Sequence, residues 1–224
     1  KTYKKKKFKF AYCPERLAEG TALKDLKKNS VLIGAYDKKS LEITKKFWET
    51  NKLKTFKLNS VEEAEIAKLT TNSWIDVNIA FANEIAKIID NLKFDIDVIN
   101  VIKAANNLKK GSSYVNMLLP SIGVGGSCLT KDPIFLDREK SKKEKYSLIS
   151  EARKINDNMP IYCVNRILKF LKEKKMKVKS KKVLILGATF KGNTDDVKYT
   201  PVFSFVKELK KYKFKNIEIF DKKI

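Results

Sequence analysis

Residues 60–91 read SVEEAEIAKLTTNSWIDVNIAFANEIAKIIDN, and this stretch decides how the rest of the chain is organised. Ser60-Val61-Glu62-Glu63 has the capping-box form, in which a serine oxygen takes an N–H of the first turn and a glutamate three residues on reaches back. No glycine or proline interrupts residues 61–91. A helix of about 30 residues spans about 45 Å at 1.5 Å per residue, the length of a connecting or dimerising element. Lys68 and Asn72 stand four apart and share a face with Thr71, Ile75 and Ile79. A lysine on such a half-apolar face can act as acid, base or oxyanion partner. In a chain so rich in lysine it can equally be a snorkelling or solvated surface group.

Upstream of this helix, apolar alternation over residues 8–12 predicts a strand that runs into the turn Cys13-Pro14-Glu15-Arg16. Residues 31–36 predict a second strand, 38–50 a helix and 55–58 a short third strand, which is βαβ material. Downstream, a helix is expected over 96–106, then a loop with glycines from Gly111 to Gly126, then helical pattern through Phe135 and over 146–174. Pro160 is expected to break or kink the last of these. The lysine-rich residues 172–182 mark a boundary. Beyond it come an apolar strand ending in glycine (183–187), a helix (202–212) and a strand (217–220). One helix and two strands cannot cover both faces of a parallel sheet. The fold class is α/β: the end of one doubly wound, Rossmann-like domain (1–59), a central helical domain for dimerisation and catalysis (60–155), and the start of a second Rossmann-like domain (156–224).

Composition removes several functions. The chain has 224 residues, 43% hydrophobic and 33% charged, enough to bury a real core and unlike a disordered tail. Its apolar runs fall far short of the roughly 20 residues of a membrane span, and no signal-peptide pattern opens it, so a cytoplasmic protein without a membrane partner is expected. The net charge of +23 suggests nucleic acid first. Lysine is spread through almost every segment, however, and only four arginines occur, whereas base readout and bidentate phosphate contacts favour arginine. No nucleic-acid partner is expected. Cys13, Cys128 and Cys163 match no metal or redox spacing, so reduced thiols are expected. The absence of histidine excludes Ser-His-Asp and Cys-His catalysis and most catalytic zinc sites; no metal is expected.

The stronger chemical segment is Gly123-Val124-Gly125-Gly126-Ser127-Cys128-Leu129-Thr130-Lys131-Asp132-Pro133. Glycines let backbone approach a ligand closely, and a cysteine where such a loop turns into a helix has its thiolate favoured by the N-terminal dipole and by Lys131. That describes an activated nucleophile. A small buried cysteine beside a structural turn fits the same letters.

Together these residues resemble the UDP-glucose and UDP-N-acetylmannosamine dehydrogenases. Four blocks match in order and spacing: Cys13-Pro14-Glu15-Arg16-Leu17-Ala18-Glu19-Gly20; Lys68 and Asn72 with Asn83-Glu84; the Cys128 loop with Lys131-Asp132; and Gly187-Ala188-Thr189-Phe190-Lys191 with Asp195-Asp196. The Pro-Glu-Arg form of the first block resembles the N-acetylhexosamine branch.

The resemblance implies an NAD-dependent, two-step oxidation of UDP-N-acetyl-D-mannosamine at C6 to the uronate. The aldehyde is held on Cys128 as a thiohemiacetal, oxidised to a thioester and released by water. UDP-glucose or UDP-N-acetylglucosamine oxidation, or a catalytically silent nucleotide-sugar-binding remnant, are the alternatives. Lys68 and Asn72 would stabilise the oxyanion, Asp132 would assist proton transfer, and Glu15 or Glu19 would be the general base. Lys131 and Lys198 are expected toward NAD. Glu15, Arg16, Glu19, Lys68, Asn72, Tyr114, Asn116, Gly125 and Lys191 are expected toward the UDP-sugar. A homodimer through the central helical domain is the implied assembly. No G-x-G-x-x-G occurs, so the chain is expected to begin at the last strands of the NAD-binding domain and to stop partway into the UDP-binding one. Lys198 replaces the family's usual arginine, losing the bidentate fork. Residues 187–192 lack the Lys-Ser/Thr pair of an ATPase loop.

Overall fold

The computed structural model describes residues 8–92, 94–110 and 113–224, so the expectation placed on Gly111 lies outside the described residues. The chain divides into two compact units, Lys1–Thr71 and Asn72–Ile224.

In the first unit, strands β1 (Ala11–Tyr12), β2 (Val31–Ala35) and β3 (Thr55–Lys57) form one sheet in that order, with helices α1 (Ala22–Lys28) and α2 (Lys38–Thr50). β2 and β3 pair in parallel around α2, as the βαβ reading requires, while β1 is antiparallel to β2. The strand expected over 8–12 thus shrinks to the two residues that find partners in Gly34 and Ala35. Asp37 caps α2: its carboxylate accepts from the Ser40 N–H at 2.8 Å and the Ser40 hydroxyl at 2.9 Å. The Ser40 oxygen in turn accepts from the Phe10 N–H at 3.1 Å, tying the cap to the segment before β1. Gly34 lies where a Cβ would stand 2.2 Å from the Ser60 carbonyl oxygen, so the chain crosses itself there too closely for any side chain.

Helix α3 (Val61–Asn91) has the length its sequence requires, 31 residues. Its cap is a variant of the expected box. Ser60 Oγ accepts from the Glu63 N–H at 3.1 Å, but the Glu63 carboxylate returns one residue further, to the Asn59 N–H at 2.7 Å. The Asn59 backbone and side-chain N–H groups hold the Glu63 carboxyl below the usual carboxylate range.

The second unit continues from α3 into α4 (Val98–Asn106), a two-residue hairpin of β4 (Lys109–Lys110) and β5 (Ser113–Tyr114), α5 (Asp132–Arg138) and α6 (Leu148–Glu173). The hairpin is an addition to a middle expected to be all helical. After a short 3-10 turn (Val178–Ser180), β6 (Lys182–Leu186) and β7 (Asn216–Phe220) pair in parallel around α7 (Pro201–Lys210). Val164, Ile185, Val202, Phe205 and Leu209 form the core between α6, α7 and one face of β6. At roughly 25 cal/mol per Å2, each such side chain contributes about 1.5–3 kcal/mol.

Pro160 does not break α6, which runs unbroken through it. Proline removes one N–H and so leaves the Asn156 carbonyl without its partner at i+4. Gly123, at φ 141°, passes at this point, where a Cβ would stand 3.1 Å from that carbonyl and 3.6 Å from Pro160 Cδ. The defect falls where the glycine loop crosses the helix. None of the described helices is long and apolar enough to cross a membrane.

Candidate active site

Cys128 is exposed, in the turn immediately before α5. The turn is closed by its own backbone: the Cys128 carbonyl accepts from the Lys131 N–H at 3.2 Å and the Asp132 N–H at 2.9 Å. Pro133, in the first turn of α5, suits a helix start because the N–H it lacks would be unpaired there. Asp132 is buried, and its carboxylate accepts from Asn72 Nδ2 on α3 at 2.6 Å. Lys131 Nζ lies 3.8 Å from Asp132 Oδ1 and 5.6 Å from the centre of the Phe135 ring. Four expected residues, Asn72, Cys128, Lys131 and Asp132, are therefore brought together although 60 positions separate Asn72 from Asp132. The thiol is exposed, on a turn that leads into the carboxylate fixed by Asn72. A small buried cysteine is not what this turn holds.

The glycines of the loop are set closely against the protein's own chain. A Cβ on Gly125 would stand 2.5 Å from Phe190 Cβ and 2.8 Å from the Tyr199 carbonyl. On Gly126, at φ 83°, it would stand 2.8 Å from the Phe190 ring. Gly126 N–H donates to the Lys198 carbonyl at 3.1 Å. What approaches these glycines is protein: they seat the loop against residues 190–201, and a side chain at either would push the loop off. Lys198 meets the loop through its backbone, its side chain remaining exposed. Lys191 is half-buried, and its carbonyl accepts from Thr189 Oγ1 at 2.9 Å and Thr194 Oγ1 at 2.8 Å, which rigidifies residues 189–194.

Tyr114 and Asn116 are exposed. Their segment is held by two amide clamps: Asn78 Nδ2 donates to the Asn116 carbonyl at 2.7 Å while its Oδ1 accepts from Leu118 N–H at 2.8 Å. Asn106 binds Met117 the same way, at 2.9 and 2.8 Å. Sequence reasoning missed both asparagines.

It also missed the buried group behind the loop. Arg153 Nη1 donates to Asp76 Oδ1 at 2.5 Å, and Arg153 also bonds the exposed Asp157. Burial pushes the Asp76 carboxyl up, against the opposing Arg153 charge. Among the described residues, Asp76 Oδ2 and Ser73 Oγ are buried without a hydrogen-bond partner. The available signal was rarity, because an arginine kept among 49 basic residues of which only four are arginine marks a place where its planar fork is needed.

In the first unit, Glu15 and Arg16 line a cavity of about 150 Å3 with Cys13 and Trp48. Arg16 donates to the Ser30 carbonyl at 2.8 Å, the Glu15 carboxylate accepts from Leu17 N–H, and Trp48 Nε1 donates to the Cys13 sulfur at 3.4 Å. Burial pushes the Cys13 thiol up. Glu19 is exposed, and Lys68 is half-buried on α3 one turn before Asn72. A cleft of about 390 Å3 opens at the carboxyl ends of β2 and β3, lined by Asp37, Lys38, Lys57 and Asn59 among others, which is where open α/β sheets take ligands.

Residues 62–158 match the UDP-glucose/GDP-mannose dehydrogenase family, central domain; residues 184–224 match the UDP binding domain of that family and residues 1–52 its NAD binding domain. The chain belongs to this family. Among its relatives, the UDP-N-acetyl-D-mannosamine dehydrogenase of Methanocaldococcus jannaschii is 42% identical over 93% of this chain and 46% of the relative. A solved UDP-D-ManNAc dehydrogenase from Pyrococcus horikoshii aligns with TM-score 0.82 and 32% identity, over 94% of this chain and 48% of that one. A UDP-glucose dehydrogenase from Pyrobaculum islandicum aligns with TM-score 0.77 and 26% identity, over 95% and 48%. The chain spans about half the length of the relatives it matches. Family membership explains why the Cys128 turn, Asn72 and the segment around Lys191 occur together, and the partial Rossmann-like fold expected from the sequence is the one found.

Proposed function

We propose that the protein is an NAD-dependent nucleotide-sugar 6-dehydrogenase, acting on UDP-N-acetyl-D-mannosamine to give the uronate, with Cys128 as the nucleophile. The observation that carries this reading is the exposed Cys128 thiol on a turn fixed beside the Asn72–Asp132 pair at 2.6 Å.

The first unit offers a fit to part of a dinucleotide site: a cleft at the carboxyl ends of parallel strands, without a glycine-rich pyrophosphate loop in the chain. NAD supplies, when bound, the acceptor for hydride. Lys131 and Lys198 are the cations proposed to face it. The chain's own residues do the rest. The Cys128 sulfur adds to the C6 aldehyde, so that the reactive carbonyl never leaves, and a thioester follows after the second oxidation. Asn72 offers an amide N–H and Asp132 a carboxylate beside that carbon, one to stabilise an oxyanion and one to pass a proton to or from water. Lys191, on its rigid loop, would pair with phosphate or carboxylate. The roles of Glu15, Arg16, Glu19, Lys68, Tyr114, Asn116 and Gly125 stand within the same proposal, as does the division at 59/60 and 155/156.

A homodimer, and residence in the cytoplasm, complete the reading. Trp74, Phe81 and Ile88 recur every seven residues on α3 and are 62%, 50% and 50% exposed, beside a groove of about 730 Å3 that Tyr114 and Leu148 also line. An apolar stripe of that kind suits a second copy related by two-fold symmetry.

The test is NADH formation by the full-length protein across a panel of UDP-sugars. Two NADH per UDP-N-acetyl-D-mannosamine are expected, with activity lost in Cys128→Ala. Undiminished turnover in that variant removes the mechanism, and preference for UDP-glucose or UDP-N-acetylglucosamine reassigns the substrate.

A further inference from the structure

A contiguous chain of buried polar groups brackets the Cys128 loop, and the proposed chemistry makes no use of it. It starts at the Ser121 N–H, which donates to Asn83 Oδ1 at 2.7 Å. Asn83 Nδ2 donates to Asn156 Oδ1 at 2.9 Å, and Asn156 Nδ2 donates to Asp76 Oδ1 at 2.8 Å and to the Asp76 carbonyl at 2.9 Å. Asp76 Oδ1 also accepts from Arg153 Nη1 at 2.5 Å, and the same nitrogen reaches the Leu129 carbonyl at 3.4 Å. The loop is therefore tied to one cluster before its glycines, at residue 121, and again one residue after the cysteine, at 129. Asp76, Asn83, Arg153 and Asn156 are all buried, at 0%, 0%, 7% and 1% exposure.

An ion pair kept at such depth is a poor source of stability, because removing both charges from water costs about as much as their attraction returns. What the pair does supply is direction. A guanidinium fixed by Asp76 on one side and Asp157 on the other has little freedom left, so the N–H it sends to Leu129 is aimed. Across the turn, Asn72 holds Asp132 to the same helix as Asp76.

We propose that Asp76 and Arg153 are positioning residues that fix the Leu129 carbonyl, and with it the turn presenting Cys128 and Asp132. For its chemical purpose this rests on the dehydrogenase reading. Neither residue touches substrate; both act through the turn.

The double variant Asp76→Leu with Arg153→Met removes both charges together, leaving none buried unpaired, so the fold is expected to survive. Hydrogen exchange at the Lys131 and Asp132 amides is expected to accelerate roughly tenfold or more. The amides of β6 and β7 should keep their wild-type rates, and the half-buried Cys13 and Cys163 should alkylate as before. Arg153→Met alone should show the same local acceleration, with general destabilisation added by the stranded Asp76. Unchanged exchange at Lys131 and Asp132 in a folded double variant overturns the proposal. So does acceleration spread to β6 and β7, or a double variant that cannot fold, since the pair would then be general scaffolding. In turnover, kcat should fall with KM for the nucleotide sugar little changed; a raised KM at constant kcat also counts against it. A wild-type protein that forms no NADH sinks the dehydrogenase reading, whereas the exchange result judges the positioning by itself.

Discussion

β2 and β6 are both five-residue apolar strands that lead through a helix to a parallel neighbour, yet β2 is buried at four of its positions and β6 at one. β2 has neighbours on both edges, β1 and β3, is packed by α2, and receives the backbone of Ser60 against Gly34. β6 has one edge neighbour, β7, and its core contacts with α6 and α7 run through Val183 and Ile185. The alternate residues are bare: Leu184 is 59% exposed and Leu186 75%, with Ile219 at 42% and Phe220 at 62% on β7. A parallel pair is stable only when both faces are covered, so the two apolar strings have the same meaning as sequence and opposite roles as structure. Coverage, not composition, separates them.

The largest effect should come from truncating the covered strand. Ile33 is wholly buried, and Ile33→Ala is expected to cost about 2–5 kcal/mol, whereas Leu184→Ala on the bare face should stay within about 0.5 kcal/mol. Denaturant titration of single-tryptophan backgrounds, Trp74→Phe to leave Trp48 in the first unit and Trp48→Phe to leave Trp74 in the second, reads the two separately. Equal losses would erase the distinction. The glycines next to these strands sharpen it. Gly34→Ala sets a methyl 2.2 Å from a carbonyl oxygen and should cost about 1–3 kcal/mol through forced backbone movement. Gly187→Ala meets nothing within 4 Å and bears only the penalty of φ 96°, about 1–2 kcal/mol. Structures of the two variants should show displaced chain around residue 60 in the first case and none in the second.

What the sequence made legible runs along the same line. α2 occupies the predicted 38–50, and α3 runs to the predicted Asn91, because each has an oxygen cap and an uninterrupted pattern that needs no distant partner. α1 was missed: none of its seven residues is buried, so it carries no apolar periodicity to read. The hairpin at Lys109–Lys110 and Ser113–Tyr114 is too short for any alternation. At the site, Cys128, Asn72 and Asp132 were legible because glycine, thiol and carboxylate crowd one segment and a family pattern joins them to α3. Asp76 and Arg153 were not, since 77 positions separate them and only the packing of α3 against α6 makes them a pair. What Gly125 and Gly126 pack against was not legible for a related reason. A glycine announces that something comes close, and the partner, here Phe190, is named only by the fold.

The three thiols test exposure against sequence in a smaller way. Cys13 and Cys163 are half-buried and pushed up by burial, so their thiolates are scarce near neutral pH. Iodoacetamide should label the exposed Cys128 at least roughly tenfold faster than either. Labelling of Cys13 before Cys128 would mean that the first unit is open around Trp48, and with it that the cover on β2 is loose.

The smallest effect concerns the two aspartates near these strands' ends. Asp37 follows β2 and caps α2, while Asp221 follows β7 and accepts from the Ala188 N–H at 2.8 Å, holding the loop that leaves β6. Both carboxyls are held below the usual range, first by those backbone N–H groups of Ser40 and Ala188. A depressed folded value means that each contributes stability above its unfolded pKa of about 3.9, and that the contribution is lost as pH falls through the folded value. Asp37→Asn should therefore shrink the stability difference between about pH 7 and about pH 3 in the Trp48 transition, and Asp221→Asn in the Trp74 transition. Because both groups are solvated, the changes should be slight, and that is the discriminating point. If Asp221→Asn proved the larger, the loop after β6 would be doing for the bare sheet what β1 and α3 do for β2, and the second unit would depend on a polar latch where the first depends on burial.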